Sequence, residues 1–223
     1  MNELNKPIIK MYDPTIDYNN HRAEYDAAIQ KVLNSGRFIQ GPDVFELEKN
    51  LSNFCGAKHS IAVDNGTVAL MIALMALDVK AGDYFITTTF SWISSAEIGC
   101  ILGAKPIFVD IDPDTYNISP KALEAAILKC DDDIRQRIKA IIAVSLFGQM
   151  ADFTEILRIG NKYNIEVIED AAQSFGASFR IDENANAVDA NNVFSTNICR
   201  ISTTSFFPSK PLGCFGDGGC IYK

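Results

Sequence analysis

A single lysine, Lys210, lies among aromatic, proline and small residues in the stretch 205–213, which reads SFFPSKPLG. An apolar setting lowers the pKa of a lysine and frees its amine to attack a carbonyl. Pro208 and Pro211 restrict the backbone on either side of it. The alternative interpretation is an exposed loop lysine, which is the more common fate of a lysine taken singly.

An acidic residue, Asp170, comes at the end of the apolar run Val167–Ala171, which predicts a buried strand. In open α/β sheets, ligands bind at the carboxyl ends of the strands. A carboxylate that leaves a core strand is costly unless it is paired, and a protonated pyridine nitrogen is one suitable partner. Capping of the next turn by Asp170 is an equally good interpretation of this residue in isolation.

A glycine turn follows another short predicted strand, in the stretch 63–70, which reads VDNGTVAL. The free N–H groups at the start of the following helix can bind a phosphate, and Gly66 lets the backbone approach it closely. Thr67 can add a hydroxyl. A plain strand-to-helix connection with Thr67 as the helix cap is the more common structure for such a stretch.

Two further features are weaker signals. Trp92 is the only tryptophan and follows a predicted strand; its ring could stack on a flat cofactor, although tryptophans more often pack in a core. The glycines between 213 and 219 are not followed by a helix, so we interpret them as tight turns beside Lys210.

The elements that must position these residues alternate between strands and helices. Strands that are apolar throughout and separated by helices indicate a parallel sheet covered on both faces. We therefore predict the α/β class, with a mostly parallel (mixed) central sheet. The polar segment Arg180–Asn192 has no core face and predicts an exposed loop. The predicted strands are Ser60–Val63, Tyr84–Phe90, Pro106–Ile111, Ala140–Leu146, Val167–Ala171, Ile201–Phe207 and Gly219–Tyr222, and the predicted helices are Tyr25–Asn34, Val44–Phe54, one from Thr67, Ile93–Leu102, Pro120–Lys129 and Phe153–Tyr163.

Composition narrows the class of protein. The 223 residues carry a net charge of −8, which argues against a nucleic-acid partner. Six cysteines without a CxxC pair and two histidines give no pattern for zinc or any other metal, so buried reduced thiols are expected. The N-terminus has no apolar signal region, and no stretch is long enough to span a membrane. We expect a cytoplasmic protein with no membrane partner.

Each signal is modest alone, but their order along the chain is specific. A Gly-Thr turn, an aromatic residue after the next strand, Asp-x-x-Gln after a later strand and Ser-x-x-x-x-Lys further on resemble the DegT-type sugar aminotransferase family of fold-type I enzymes dependent on pyridoxal phosphate (PLP). The similarity runs from about Gly36 to the end. Its strongest parts are Glu169–Gly176 (EDAAQSFG) and Ser205–Gly213.

The resemblance implies a role for each residue. Lys210 matches the lysine that forms an imine with PLP and moves protons, and Asp170 matches the carboxylate that keeps the pyridine nitrogen protonated. Gln173 matches the residue near the ring and its phenolic oxygen. The remaining matches are Trp92 with the stacked aromatic residue, and Gly66, Thr67 and Ser205 with the phosphate-binding groups.

The resemblance also implies a reaction and partners. The family transfers an amino group from glutamate to a nucleotide-linked keto sugar. The amino-acid sequence around Lys210 and Gln173 is most similar to members that aminate a UDP-linked 3-oxo sugar acid for surface polysaccharide such as lipopolysaccharide. Members are usually homodimers. Residues 1–35 would be an N-terminal helical segment and residues 36–223 the PLP-binding large domain.

Two departures from the family leave alternatives open. The family's chains continue into a smaller C-terminal domain that is missing here, and the segment Arg180–Asn192 looks longer than its counterparts. One alternative is therefore a truncated, non-catalytic PLP-fold protein that needs a full-length partner. Another is an unrelated α/β phosphate-binding module with no covalent cofactor.

Overall fold

The computed structural model describes residues 10–180 and 192–223. Within those residues it contains eight α-helices, nine β-strands and one 3₁₀ turn, Leu146–Gly148. The helices are α1 Pro14–Asn20, α2 Arg22–Ser35, α3 Pro42–Cys55, α4 Gly66–Ala76, α5 Ser94–Ile101, α6 Pro120–Lys129, α7 Asp132–Gln136 and α8 Phe153–Tyr163. The strands are β1 Ser60–Val63, β2 Tyr84–Thr88, β3 Lys105–Val109, β4 Ile138–Val144, β5 Glu166–Asp170, β6 Ser178–Arg180, β7 Asn192–Phe194, β8 Ile201–Ser205 and β9 Gly219–Tyr222.

The chain divides into two compact units, of which the first ends at Phe45 and the second begins at Glu46. The first unit contains α1 and α2. Gly36 follows α2 as its C-cap, and its φ of 63° is the left-handed backbone common at helix C-termini. The second unit contains every strand of the described residues. The domain boundary at residue 36 stays a prediction.

The described part of the second unit is built on a seven-stranded sheet with the order β1-β9-β8-β5-β4-β2-β3. Five neighbouring strands, β8, β5, β4, β2 and β3, are parallel. β9 is antiparallel to both of its neighbours, β8 and β1, so β1 runs in the same direction as the parallel strands. The sheet is therefore mixed and mostly parallel, as predicted.

Helices cover the sheet on both faces because its strands are apolar on both sides. One core includes Ile141 and Val167 and packs against α6 and α8. The other includes Ile142 and Ile168 and packs against α4 and α5. Since side chains alternate along a strand, Glu169 shares the face of Val167, and Asp170 shares the face of Ile168.

The periodicity located most elements to within a few residues. The predicted bounds are correct for Ser60–Val63, Pro120–Lys129, Phe153–Tyr163 and Gly219–Tyr222. Ser119 is the N-cap of α6. The short helices α1 and α7 and the hairpin β6–β7 were not predicted. Most of the expected loop Arg180–Asn192 lies outside the described residues, and its two end residues belong to β6 and β7.

The six cysteines are free thiols. Cys55, Cys199 and Cys220 are buried as expected, whereas the expectation of burial is wrong for Cys100, which is exposed at the end of α5. In the part of the chain that the structure describes, no helix has the length and apolar character needed to cross a membrane.

Candidate active site

Every residue that the sequence singled out for chemistry lies at one edge of the seven-stranded sheet. β1, β2, β5 and β8 run in the same direction, so their carboxyl ends meet at that edge, where ligands of open α/β sheets bind. Gly66 and Thr67 follow β1, Trp92 follows β2, Asp170 ends β5 and Gln173 follows it, and Ser205 ends β8 and Lys210 follows it.

The N–H groups in the first turn of α4 have no carbonyl acceptor within the helix. Asn65 is the cap of this helix: its side chain accepts a hydrogen bond from Val68 N at 2.9 Å. The interpretation of Thr67 as the cap is therefore wrong. The N–H groups of Gly66 and Thr67 remain at the positive end of an 11-residue helix, which favours an anion there.

Two glycines let three strand ends close around the first turn of α4. A Cβ atom on Gly66 would lie 2.7 Å from Ser205 Cβ, and one on Gly219 would lie 2.5 Å from the backbone of Asn65. The Ser205 hydroxyl accepts a hydrogen bond from Phe207 N at 3.2 Å. Ser205 Oγ is thereby kept beside the α4 N-terminus.

The Thr67 hydroxyl is held from the neighbouring helix. Its Oγ1 lies 2.7 Å from the hydroxyl of Ser94, a buried residue at the start of α5. We call the N–H groups of Gly66 and Thr67, together with the hydroxyls of Thr67 and Ser205, the anion cradle.

The Asp170 carboxylate is 7% exposed. Ala172 N donates a hydrogen bond to its Oδ1 at 3.1 Å, so the interpretation of Asp170 as the cap of the next turn is confirmed. Among the described residues no donor reaches Oδ2. Burial raises the pKa of the Asp170 carboxyl, while the Ala172 N–H and the Lys210 ammonium oppose that rise. This carboxylate has an acceptor left over for a cationic N–H group.

The neighbouring carboxylate, Glu169, is fully buried and is surrounded by donors. Its Oε1 accepts from Ser195 Oγ at 2.8 Å and lies 3.5 Å from Ser145 Oγ. Its Oε2 accepts from Thr196 N at 2.8 Å and from Ser202 Oγ at 3.0 Å. Burial raises the pKa of Glu169, and the Ser195, Thr196 and Ser202 hydrogen bonds counteract it.

The Gln173 side chain is fixed by the 3₁₀ turn after β4. Its Oε1 accepts a hydrogen bond from Phe147 N at 3.0 Å. Phe147 has a φ of 57°, an uncommon backbone conformation for a phenylalanine. The amide group of Gln173 therefore has its oxygen engaged and its NH₂ group available for another partner.

Trp92 is 73% exposed, so the alternative interpretation, that this ring packs in the core, is wrong. Three other aromatic rings, in loops at the same edge of the sheet, contact one another. Their centroids are 5.6 Å apart for Phe90 and Tyr116, 6.0 Å for Tyr116 and Phe147, and 6.5 Å for Phe90 and Phe147. This edge of the sheet thus presents aromatic surface next to its polar groups.

Lys210 lies in a turn after β8, and its N–H donates to Phe207 O at 2.8 Å. It is half-buried rather than exposed. The loop folds back on β9, since Phe206 N donates to Gly218 O at 2.7 Å. The ammonium group of Lys210 electrostatically opposes the rise that burial causes in the pKa of the Asp170 carboxyl, so the two groups lie in the same region of the sheet edge.

Sequence reasoning missed Glu169, Ser94 and Ser195 as members of this region. Glu169 appeared only as part of the EDAAQ stretch. The signal for it was present, because two successive acidic residues at the end of an apolar strand put one carboxylate on each face of the sheet. The hydroxyl partners come from distant segments, and no local pattern connects them.

The family model of the DegT/DnrJ/EryC1/StrS aminotransferases matches residues 19–223. The chain belongs to this family. Its members are PLP-dependent, and their fold is the α/β architecture described above.

Comparison with individual proteins supports the assignment to this family. The chain is 51% identical over 211 residues to the UDP-2-acetamido-2-deoxy-3-oxo-D-glucuronate aminotransferase of Pseudomonas aeruginosa, covering 93% of this chain and 54% of that protein. It is 38% identical, with a TM-score of 0.86, to the crystal structure of a family member from Brucella abortus, covering 97% of this chain and 55% of that one. The Bacillus subtilis protein NtdA, solved with the bound cofactor PMP, is 31% identical with a TM-score of 0.79 and coverages of 98% and 46%. The chain spans about half the length of the relatives it matches.

The residues at this sheet edge fit the groups of PLP. The anion cradle offers N–H and hydroxyl donors to a phosphate. Asp170 offers a buried carboxylate oxygen to a protonated ring nitrogen, and Lys210 offers an amine to the aldehyde. A group with an anion, a basic ring nitrogen and a carbonyl matches all three.

Proposed function

We propose that this chain carries the PLP site of an aminotransferase that acts on a nucleotide-linked keto sugar. The observation that supports it best is the buried Asp170 carboxylate, whose Oδ2 accepts no hydrogen bond from the described residues and whose pKa, raised by burial, is lowered by the charge of Lys210. A carboxylate in that setting is expensive unless a cation completes it. We assign the cofactor-binding domain to residues 36–223, after an N-terminal helical segment.

In this proposal each residue has a separate task. The cradle at Gly66, Thr67 and Ser205 binds the phosphate, and the exposed ring of Trp92 covers one side of the cofactor. Gln173 donates from its NH₂ group toward the phenolic oxygen, since its Oε1 is engaged by Phe147 N.

The chemistry is divided between two residues. When bound, PLP supplies a carbonyl for the amino group and a ring that withdraws electrons. Asp170 keeps the ring nitrogen protonated by accepting its hydrogen bond and balancing its charge. Lys210 would hold the carbonyl through Nζ, and the same amine would move a proton to and from the substrate carbon.

The substrate assignment rests on the relatives. The Pseudomonas aeruginosa relative is named for a UDP-linked 3-oxo sugar acid, and it is 51% identical to this chain. We propose a substrate of that class, with glutamate as the amino donor, in surface polysaccharide synthesis in the cytoplasm. We propose a homodimer as the working assembly.

Absorbance spectroscopy tests the cofactor assignment. Addition of PLP to the 223-residue chain is expected to give the visible band of lysine-bound PLP, and glutamate is expected to bleach it. Lys210→Ala should abolish the band, whereas Lys121→Ala, which removes an exposed lysine of α6, should leave it unchanged. A band that persists in Lys210→Ala would show that another amine binds the cofactor.

An amination assay tests the substrate. The chain is supplied with glutamate and a UDP-linked 3-oxo sugar acid, and the amino sugar is measured. A matched UDP-linked 4-oxo sugar serves as the control for the position of the carbonyl. Product from the 4-oxo sugar alone would overturn the substrate class and leave the cofactor assignment intact.

A further inference from the structure

Glu169 is a fully buried carboxylate that the proposed chemistry does not use. We propose that Glu169 is a positioning residue for Gln173 and acts on it through the hydroxyls of Ser195 and Ser174. The inference rests on the proposed function only in assigning Gln173 to the cofactor. The contacts that carry it belong to the protein alone.

Both oxygens of Glu169 bond the adjacent residues Ser195 and Thr196, but their further contacts differ. Oε2 accepts from Thr196 N and from Ser202 Oγ, and the Ser202 contact joins β5 to the neighbouring strand β8. Oε1 accepts from Ser195 Oγ at 2.8 Å. Ser195 Oγ also lies 2.8 Å from Ser174 Oγ. Among the described residues, the hydrogen bonds of Oε1 thus continue through Ser195 to Ser174 in the loop after β5, and those of Oε2 do not.

The direction of the hydrogen bonds follows from the charge. An ionised carboxylate only accepts, so the single hydroxyl proton of Ser195 is donated to Glu169. Ser174 must then donate its own proton to Ser195 Oγ. The chain Ser174 to Ser195 to Glu169 is thus polarised in one direction by the buried negative charge, which strengthens each bond.

This hydrogen-bond chain ends next to Gln173. Ser174 is also held by its backbone, since its N–H donates to Ala171 O at 3.1 Å and its carbonyl accepts from Ala177 N at 2.8 Å. With Ser174 fixed, the side chain of Gln173 reaches Phe147 N at 3.0 Å. The Phe147 N–H is therefore a reporter of where Gln173 lies, and it needs no cofactor.

Hydrogen exchange at Phe147 N–H in the cofactor-free 223-residue chain tests the proposal. Ser195→Ala and Ser174→Ala each break the chain of hydroxyls, and exchange is expected to become at least about fivefold faster, because the acceptor of this N–H is no longer held in place. The matched control is Ser202→Ala. It removes a buried hydroxyl from the same carboxylate but lies on the Oε2 side, so exchange should change less than about twofold.

Glu169→Gln gives a second, conservative test. The carboxamide oxygen can still accept from Thr196 N, and its NH₂ group can donate to Ser195 Oγ, which keeps a hydrogen bond in the reverse direction. Exchange at Phe147 should rise by less than in Ser195→Ala. Unchanged exchange in both Ser195→Ala and Ser174→Ala would overturn the proposal, and so would an equal rise in Ser202→Ala.

The PLP-loaded protein separates this inference from the proposed function. Ser195→Ala and Gln173→Ala should shift the visible absorbance band non-additively, because both act through Gln173. If the wild type gives no band while the exchange results hold, the proposed function fails and the positioning role stands. If the band forms and exchange does not respond, the positioning role fails alone.

Discussion

Glu169 and Asp170 are adjacent, both are buried, and burial raises the pKa of both carboxyls. They differ in what surrounds them. Glu169 receives hydrogen bonds from Ser195, Thr196 and Ser202 on the face of the sheet covered by α6 and α8. Asp170, on the α4 and α5 face, receives one bond from Ala172 N.

The difference separates a carboxylate whose two oxygens are satisfied by the protein from one whose Oδ2 accepts no hydrogen bond from the described residues. A buried charge is tolerated when donors surround it and is costly when they do not. At Glu169 the chain supplies those donors itself. At Asp170 the free-energy cost of burying the charge is not offset by such donors, and a bound cation would offset it.

The largest expected effect is the loss of the Glu169 carboxylate. Glu169→Ala leaves the donors of Ser195, Thr196 and Ser202 buried without an acceptor, so the free energy of unfolding should fall by about 3–5 kcal/mol. Urea denaturation measures it. Asp170→Ala is the control and should cost far less, because only Ala172 N loses its partner. Equal losses would break the comparison.

The second effect concerns activity. Asp170→Asn keeps the shape of the side chain but removes its charge, and removal of one pre-organised electrostatic contact costs about 10²–10³ in kcat. The rate of glutamate-dependent amination measures it. Asp152→Asn, at the exposed cap of α8, should leave the rate unchanged. A loss of less than about tenfold would argue against Asp170 as the partner of the ring nitrogen.

A smaller effect is expected from a single donor to Glu169. Ser202→Ala removes a hydrogen bond to a charged acceptor and should lower the free energy of unfolding by about 2 kcal/mol. Calorimetry or urea denaturation checks it. The remaining donors to the carboxylate make this loss smaller than that of Glu169→Ala. A loss as large as that of Glu169→Ala would mean that the donors do not act separately.

The smallest effect has the opposite sign. Burial raises the folded-state pKa of Asp170 above its ordinary value of 3.8, so the native state binds the proton more tightly than the unfolded chain. The stability from this linkage is fully present below the ordinary pKa and is lost as the pH rises through the raised pKa.

Asp170→Asn should therefore stabilise the cofactor-free chain at neutral pH, and the gain should vanish at acid pH. Urea denaturation midpoints of the two proteins between acid and neutral pH measure the gain. Glu169 is present in both proteins, so its own titration cancels in the difference. A variant that is less stable at neutral pH would show that Asp170 is satisfied within the chain.

The sequence carried most of the fold because the buried parallel strands are apolar throughout. β4 and β5 were located by that property to within two residues, and the predicted bounds of α6, Pro120–Lys129, are correct. The hairpin β6–β7 was not predicted, since three-residue strands leave too short a pattern to recognise. The helix α7 is also too short for periodicity to indicate it.

The positions of the candidate site residues in the fold were predictable, but their side-chain contacts were not. The residues Gly66, Asp170 and Lys210 each follow or end a strand, which places them at one edge of a parallel sheet. The hydroxyl contacts of Thr67 with Ser94 and of Glu169 with Ser195 join segments far apart in the chain. Such pairs depend on tertiary packing, which local sequence patterns do not indicate.

The pairing of β1 with β9 has a consequence for the order of events in folding. Ser60 lies opposite Tyr222, so the first and last strands of the sheet meet. The cradle at Gly66 is closed by Gly219 of that last strand. Closing so long a loop is entropically expensive and comes late. Residues 60–222 must therefore all be synthesised before β1 and β9 can pair and complete the anion cradle at the start of α4.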